Sequence, residues 1–147
     1  MRLKNTILFF AIAGAIFILS SCAKTVATTP IQFQKQLLSG TGTYQNTQHT
    51  WQLDSTHVNG VNFPLTTLQK NFKKTYTFDG GYSDTDNYSG IWEITTLGKL
   101  KETFIYKATN KQDSTVYDIV SINSVQLSIS KKAISGQTVS YSFKIAN

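Results

Sequence analysis

Side chains that could do chemistry are few in this chain and stand apart from one another. Cys22 is the only cysteine, so no disulfide can form within the chain. His49 and His57 are the only histidines. On one strand they would share a face but lie roughly 26 Å apart at about 3.3 Å per residue, too far apart to bind one metal ion. We therefore expect both histidines at the surface or at strand ends, and no metal site.

Three aspartates between residues 79 and 86 raise the question of calcium binding. An EF-hand loop that began at Asp84 would need an oxygen ligand, a glycine and a glutamate where the chain has Tyr88, Ser89 and Thr95. Because these three requirements fail, a solvated hairpin loop is the better interpretation of the cluster.

Catalytic arrangements are not indicated either. The chain has no constellation built on Gly-x-Ser-x-Gly, on Ser-x-x-Lys with partner residues, or on a cysteine beside a histidine. Glu93 and Glu102 would form a carboxylate pair only if strand register brought them together. We therefore expect no catalytic residue, no cofactor and a protein that is not an enzyme.

The first 22 residues have the features of an export signal. Arg2 and Lys4 precede an apolar run over residues 6–19. A helix over that run would span about 21 Å, which is less than the ~30 Å hydrocarbon core of a bilayer. A positive start and a short apolar run are typical of a secretory signal peptide. The sequence Leu19-Ser-Ser-Cys22 then resembles the lipobox of bacterial lipoproteins.

The lipobox resemblance implies a lipid anchor on Cys22. In that family diacylglycerol alkylates the thiol, and cleavage before the cysteine frees an amine that is also acylated. Several acyl chains together give stable membrane anchoring. Residues 1–21 would be the lipoprotein signal peptide, 22–32 the lipidated cysteine with a flexible tether, and 33–147 one β domain. Surface-export signals known in some lipoproteins are acidic, whereas residues 23–26 (AKTV) are not. We therefore expect the periplasmic face of the outer membrane.

Composition and charge exclude several classes of protein. Hydrophobic residues are 40% of the chain and charged residues 15%, which excludes a disordered chain and a multi-span membrane protein. Removal of Arg2 and Lys4 from the 14 basic residues leaves 12 lysines against 8 acidic residues, a net charge of +4. Because no arginine follows residue 2, we expect no nucleic-acid partner. The lysine pairs at 73–74 and 131–132 are expected on solvated strand edges and loops.

From residue 49 onward the chain predicts one strand after another. Apolar or alternating stretches are separated by turn signals such as Asn59-Gly60 and Gly80-Gly81. The predicted strands are residues 49–58, 72–78, 82–86, 91–96, 100–107, 114–122, 125–131 and 138–145. Residues 32–38 predict a short helical turn, and residues 63–69 form a connection that contains Pro64.

Alternation in the last strands predicts an all-β, antiparallel fold with one dry face. The inward sets are Val125, Leu127 and Ile129, and Val139, Tyr141, Phe143 and Ile145. In residues 114–122 the pattern is weaker, and we expect Val120 and Ile122 on the inner face. About eight antiparallel strands must close or expose their edges. The first expectation is an up-and-down barrel, and the alternative is a two-sheet β-sandwich.

Two stretches, 76–82 (YTFDGGY) and 90–94 (GIWEI), together with the early Trp51, resemble the small lipocalin-like domain common in bacterial lipoproteins. That family has an early strand with a tryptophan, an aromatic-Asp-Gly hairpin, a Gly-x-Trp-x-hydrophobic strand and two late hydrophobic strands. The resemblance covers residues 44–147. Lipocalins proper have glycine at the position of His49. The resemblance implies a barrel, shallower than a lipocalin cup, that holds a small apolar molecule.

Aromatic side chains are the candidates for contacting such a ligand. Both tryptophans, all seven tyrosines and six of the nine phenylalanines follow residue 22. An eight-stranded barrel holds either its own side chains or one small ligand. The first hypothesis is a non-enzymatic, lipid-anchored envelope protein whose barrel binds a ligand. The alternative is a structural or interaction module with a filled core. Such a module would present loops or an edge strand to a protein or glycan partner. The ligand-contacting candidates are Trp51, Tyr76, Phe78, Trp92, Phe104 and Tyr141.

The lipobox hypothesis predicts that Cys22→Ala leaves an unprocessed precursor, because the enzyme that attaches diacylglycerol needs the thiol. Mass spectrometry of the protein recovered from its own membranes measures the processing. A shortened Cys22→Ala protein that still fractionates with membranes would contradict the lipoprotein hypothesis.

Overall fold

A computed structural model describes residues 29–106 and 109–146. The predicted signal peptide, Cys22 and most of the predicted tether lie outside these residues. Within them the chain forms mainly strands, with two helices. In chain order the elements are α1 (Pro30–Ser39), β1 (Gln48–Val58), β2 (Val61–Phe63), α2 (Thr67–Lys70), β3 (Lys73–Thr77), β4 (Gly81–Asp84), β5 (Ser89–Thr96), β6 (Lys99–Tyr106), β7 (Lys111–Ile122), β8 (Gln126–Lys132) and β9 (Thr138–Ile145).

The strands close into an antiparallel, up-and-down barrel, which confirms the predicted fold class. Strands β3 to β9 pair in chain order, and β9 returns to pair with β1, so eight strands form the wall. In the β1–β9 pairing that closes the barrel, Trp51 lies opposite Ile145 and Val58 lies opposite Val139. This pairing excludes the alternative sandwich, because a sandwich leaves the first and last strands as open edges.

The eight predicted strands are all present, with ends shifted by a few residues. Residues 63–69, predicted as a connection, instead contribute to two short elements. The strand β2 pairs with the end of β1, on the same edge that β3 occupies nearer the start of β1. The single turn α2 follows, with a capping box between Thr66 and Gln69.

Helix α1 is longer than predicted and closes one end of the barrel. It begins at Pro30, inside the segment expected to be tether, because Thr29 and Gln32 form a capping box and proline suits the first helical position. The Gln34 side chain accepts a hydrogen bond from the Gly98 backbone N–H in the β5–β6 turn, at 3.0 Å. Within the described residues, no helix is both long and apolar enough to cross a membrane.

The last carbonyls of α1 are bound by side chains of β1. The Trp51 indole N–H donates to the Leu38 carbonyl at 2.8 Å, and His49 Nδ1 donates to the Leu37 carbonyl at 2.9 Å. Helix ends leave carbonyls without intrahelical partners, so these two bonds satisfy groups that would otherwise be orphaned. They also hold the helix across the barrel end, where Trp51 and Leu38 are fully buried.

Two β-bulges change which side chains face inward. In β1 the pairing with β9 shifts between Leu53 and Ser55, so His57 points outward although His49 lies on the inner face. The expectation that both histidines share a face is therefore wrong. A bulge adds one residue to one strand, which reverses the alternation beyond it.

The second bulge lies in β7, between Ile119 and Ser121. Before it, Tyr117 and Ile119 face inward. Beyond it, Ile122 faces inward opposite the buried Leu127. Val120 sits at the bulge and is 64% exposed, so its predicted inward position is wrong. The Ile122 position is confirmed, because its side chain packs against the core.

Val125 also lies outside the core. It precedes β8 and is 59% exposed, whereas Leu127 and Ile129 of the same predicted face are fully buried. The alternation therefore predicts the inner face of β8 correctly only from its second residue onward.

Gly90 allows a close approach between β5 and β6. A Cβ atom added there would lie 2.0 Å from the Thr103 carbonyl oxygen of the neighbouring β6. A side chain would thus force β5 and β6 apart. This contact gives a physical reason for the glycine two residues before Trp92, whose ring is buried in the core.

Candidate functional site

The half of the barrel nearest α1 is filled by large side chains. Leu38, Trp51 and Leu100 are completely buried there. Trp92 is also buried, and its indole N–H donates to the Thr77 carbonyl at 3.0 Å. The Tyr76 ring packs edge-on against Trp92 with ring centres 5.9 Å apart. This half therefore has a packed core of aromatic and aliphatic side chains.

A buried ion pair crosses the barrel above this core. The Lys74 ammonium on β3 bonds both carboxylate oxygens of Glu102 on β6, at 2.8 and 2.6 Å. The Tyr76 hydroxyl donates a further hydrogen bond to the same carboxylate. Glu102 is 1% exposed and Lys74 6% exposed. Because β4 and β5 separate β3 from β6 along the wall, the pair spans the interior.

Above the ion pair the barrel interior opens into a cavity of about 520 Å³. Its wall includes Lys74 at the inner end and exposed side chains such as Gln69 and Asp113 at the rim. The lining is largely aromatic and aliphatic. Its apolar members are Leu53, Phe72, Tyr88, Phe104, Tyr117, Ile129, Tyr141 and Phe143. The cavity therefore lies at the barrel end opposite α1.

A second lysine lines this cavity. The ammonium nitrogen of Lys131 lies 5.3 Å from the centre of the Tyr117 ring, and that of Lys74 lies 5.0 Å from the same centre. Both distances are typical of cation–π contacts. Partial burial lowers the pKa of Lys131, and the positive charge of Lys74 lowers that pKa further. The cavity wall thus holds two cations close to one aromatic ring.

Burial changes the acidity of the tyrosines around the ion pair. It raises the pKa of Tyr76 well above its usual value, and the negative charge of Glu102 raises that pKa further. The same two causes, in the same order, raise the pKa values of Tyr82 and Tyr117. These phenols therefore stay protonated in the folded barrel at pH values where a solvated tyrosine ionises.

The six aromatic candidates fall into three environments. Phe104 and Tyr141 line the cavity. Trp51, Tyr76 and Trp92 belong to the buried core. Phe78 is 48% exposed in the turn after β3, where its ring lies against Gly42. The structure therefore brings two of the six to the cavity.

Sequence reasoning did not place Lys74, Lys131 or Glu102 in the interior, and it considered Glu102 only as a possible partner of Glu93. The expectation that both lysine pairs are solvated is wrong for Lys74 and Lys131, although the neighbouring Lys132 is exposed. Their positions carried a signal, because residues two apart on a strand lie on the same face. Lys74 lies two residues before Tyr76, and Lys131 lies two residues after Ile129. We assigned them by residue type, and lysine is seldom buried without a partner.

The acidic residues considered from sequence lie apart or are already engaged. Glu93 pairs in register with Lys101 on the outer face, so it does not approach the buried Glu102. The Asp84 carboxylate accepts hydrogen bonds from the Tyr82 hydroxyl and from the backbone N–H groups of Asp86 and Tyr88. Among the described residues, no group of three or more potential metal ligands comes together.

A scan against models of known protein families finds none that matches this chain, and a search of curated proteins finds no match. What defines the candidate site is therefore its geometry: a closed eight-stranded barrel with one filled end, a buried ion pair, and a cavity with two lysines in its wall.

Removal of one partner of the ion pair should destabilise the barrel. Glu102→Leu leaves the Lys74 ammonium buried without a counter-charge, and we expect a loss of about 3–5 kcal/mol in the free energy of unfolding. Urea unfolding measures this loss. The matched control is Glu93→Leu, which breaks an exposed pair with Lys101 and should cost less than about 1 kcal/mol. Equal losses in the two variants would contradict the structural role assigned to the buried pair.

The interior tyrosines should make the protein sensitive to alkali. In the unfolded chain they lose protons near pH 10, whereas the folded state retains them because their pKa values are raised. Their stabilising contribution is therefore complete below pH 10 and is lost as the pH rises towards the folded-state values. Three such groups lower the free energy of unfolding by as much as about 4 kcal/mol per pH unit.

Urea unfolding at a series of alkaline pH values measures this slope. Tyr76→Phe removes one of the three phenols, so its slope should be shallower by about 1.4 kcal/mol per pH unit. Tyrosinate absorbance that develops fully near pH 10 while the barrel remains folded would contradict the prediction.

Proposed function

We propose that this protein is a non-enzymatic, lipid-anchored protein of the cell envelope whose lipocalin-like barrel binds a small apolar ligand. The observation that carries the binding role is the cavity of about 520 Å³ at the open end of the barrel. Ligand pockets are typically ~300–1,000 Å³ in volume, and most are lined by apolar and aromatic side chains. The chemistry of this wall, with eight apolar members, suits such a ligand.

The division of the barrel supports binding over a purely structural role. A barrel of this strand number could be filled entirely by its own side chains. Here the core residues Trp51, Tyr76 and Trp92 occupy one end, whereas the rings of Phe104 and Tyr141 border open space. A cavity is the feature that distinguishes a binding barrel from a filled interaction module.

The lipid anchor rests on the resemblance of residues 19–22 to a lipobox. In the described residues the chain enters through α1, at the closed end of the barrel. The seven residues between Cys22 and Pro30 could reach at most about 25–30 Å when extended. Anchoring through Cys22 would thus hold the closed end nearest the bilayer, with the cavity mouth turned towards the aqueous side. We propose the periplasmic face of the outer membrane as the location.

The binding role predicts a co-purifying ligand. Native mass spectrometry of the full chain, extracted gently from its own membranes, should show one discrete mass beyond the acyl groups that is lost on denaturation. Thr115 lines the cavity, so Thr115→Trp should fill it and remove the added mass. The matched control is Val116→Trp on the outer face, where Val116 is 51% exposed, and it should retain the mass.

Thermal unfolding of both variants serves as the control for an intact barrel, and we expect each to unfold cooperatively. Wild-type protein that carries no added mass, or a mass that Thr115→Trp and Val116→Trp retain equally, would contradict ligand binding in the cavity. The alternative role, presentation of loops or an edge strand to a protein or glycan partner, would then be favoured.

A further inference from the structure

The cavity wall contains a cation whose charge is not neutralised by a direct partner. Within residues 29–106 and 109–146, the Lys131 ammonium forms neither a hydrogen bond nor an ion pair, and its direct contact is the face of Tyr117. Its side chain is partly buried. A charge withdrawn from water without a partner is unfavourable, as its lowered pKa reflects.

The second cation, Lys74, lies in the same cavity wall and beside the same ring. The nitrogens of Lys74 and Lys131 lie 5.0 and 5.3 Å from one ring centre, so they are at most about 10 Å apart. An ammonium has three N–H donors. Glu102 accepts two from Lys74, which leaves one donor of a residue that also lines the cavity.

The carboxylates near Lys131 are hydrogen-bonded to other groups, and none of them forms an ion pair with its ammonium. Glu102 is bound by Lys74 and Tyr76 and lies behind the cavity wall. Asp113 is exposed at the rim, where one oxygen accepts the Ser114 backbone N–H at 2.7 Å. Asp84, the other carboxylate in the wall, is engaged by three donors.

We propose that the cavity selects an apolar acid in its ionised form, with the carboxylate bound between Lys131 and Lys74 and the apolar body against Phe72, Phe104 and Tyr141. This inference rests on the proposed binding function and names the class of its ligand. A carboxylate would supply the counter-charge that Lys131 lacks and accept the remaining Lys74 donor. Hydrogen bonds between charged groups are stronger than neutral ones, so the acid should bind more tightly than an alcohol of the same shape.

The test compares 4-phenylbutyrate with 4-phenylbutan-1-ol, which share an apolar body and differ in charge. The full chain is held in phospholipid nanodiscs, and empty nanodiscs correct for probe taken up by lipid. Methyl NMR shifts of Ile129, which lines the cavity, report binding. Ile91, 64% exposed on the outer face, is the reference. We expect the acid to bind at least about tenfold more tightly than the alcohol.

The adjacent residues Lys131 and Lys132 provide a matched pair of substitutions that tests the role of the charge. Lys131→Met should weaken binding of the acid about tenfold and leave binding of the alcohol unchanged. Lys132→Met removes the same charge from an exposed neighbour and should change neither. Equal binding of the two probes to wild type, or equal effects of the two substitutions, would overturn the anion preference and leave the binding function standing. Failure of both probes to shift Ile129 would overturn the binding function itself.

Discussion

The ion pair between Lys74 and Glu102 determines how the interior of this barrel is used. It joins two strands that are not neighbours, and the Tyr76 hydroxyl gives the carboxylate a third donor. Below the pair the space is packed with aromatic and aliphatic side chains, and above it the space is open. Two charges removed from water are stable only in good geometry with their hydrogen bonds satisfied, so the pair constrains the surrounding wall. The inner end of the cavity is consequently charged, whereas most of the side chains in its wall are aromatic or aliphatic.

The closed end complements this arrangement. Trp51 and His49 donate to the last carbonyls of α1, which fixes the helix over the filled core. The two ends of the barrel therefore differ in chemistry: one is sealed by backbone carbonyls and indole, and the other exposes lysine, aspartate and aromatic rings. A molecule that enters the interior has to enter from the second end. The difference between the two ends of the barrel thus follows from side chains at a few positions in β1, β3 and β6.

Much of the fold was predictable from local patterns, and the cavity chemistry was not. Alternation in residues 138–145 and turn signals such as Asn59-Gly60 predicted the strands because both are local properties. The choice between barrel and sandwich depended on contact between β1 and β9, which local patterns do not contain. Val120 was misplaced because a bulge reversed the alternation. Lys74 was misplaced because its partner lies 28 residues away and only the strand register brings the two together.

The seam between β1 and β9 has a consequence for how the chain reaches this structure. The barrel cannot close until its last strand is available, since Trp51 pairs with Ile145 and the Ala146 backbone N–H donates to the Thr50 carbonyl. Until then β1 and β8 remain as unpaired edges that are open to wrong pairing. Contacts between the two ends of a domain require a long loop to close first, and proteins rich in such contacts fold slowly. The final nine or so residues therefore act as the closing step of folding, and chains interrupted before them would remain open sheets prone to self-association.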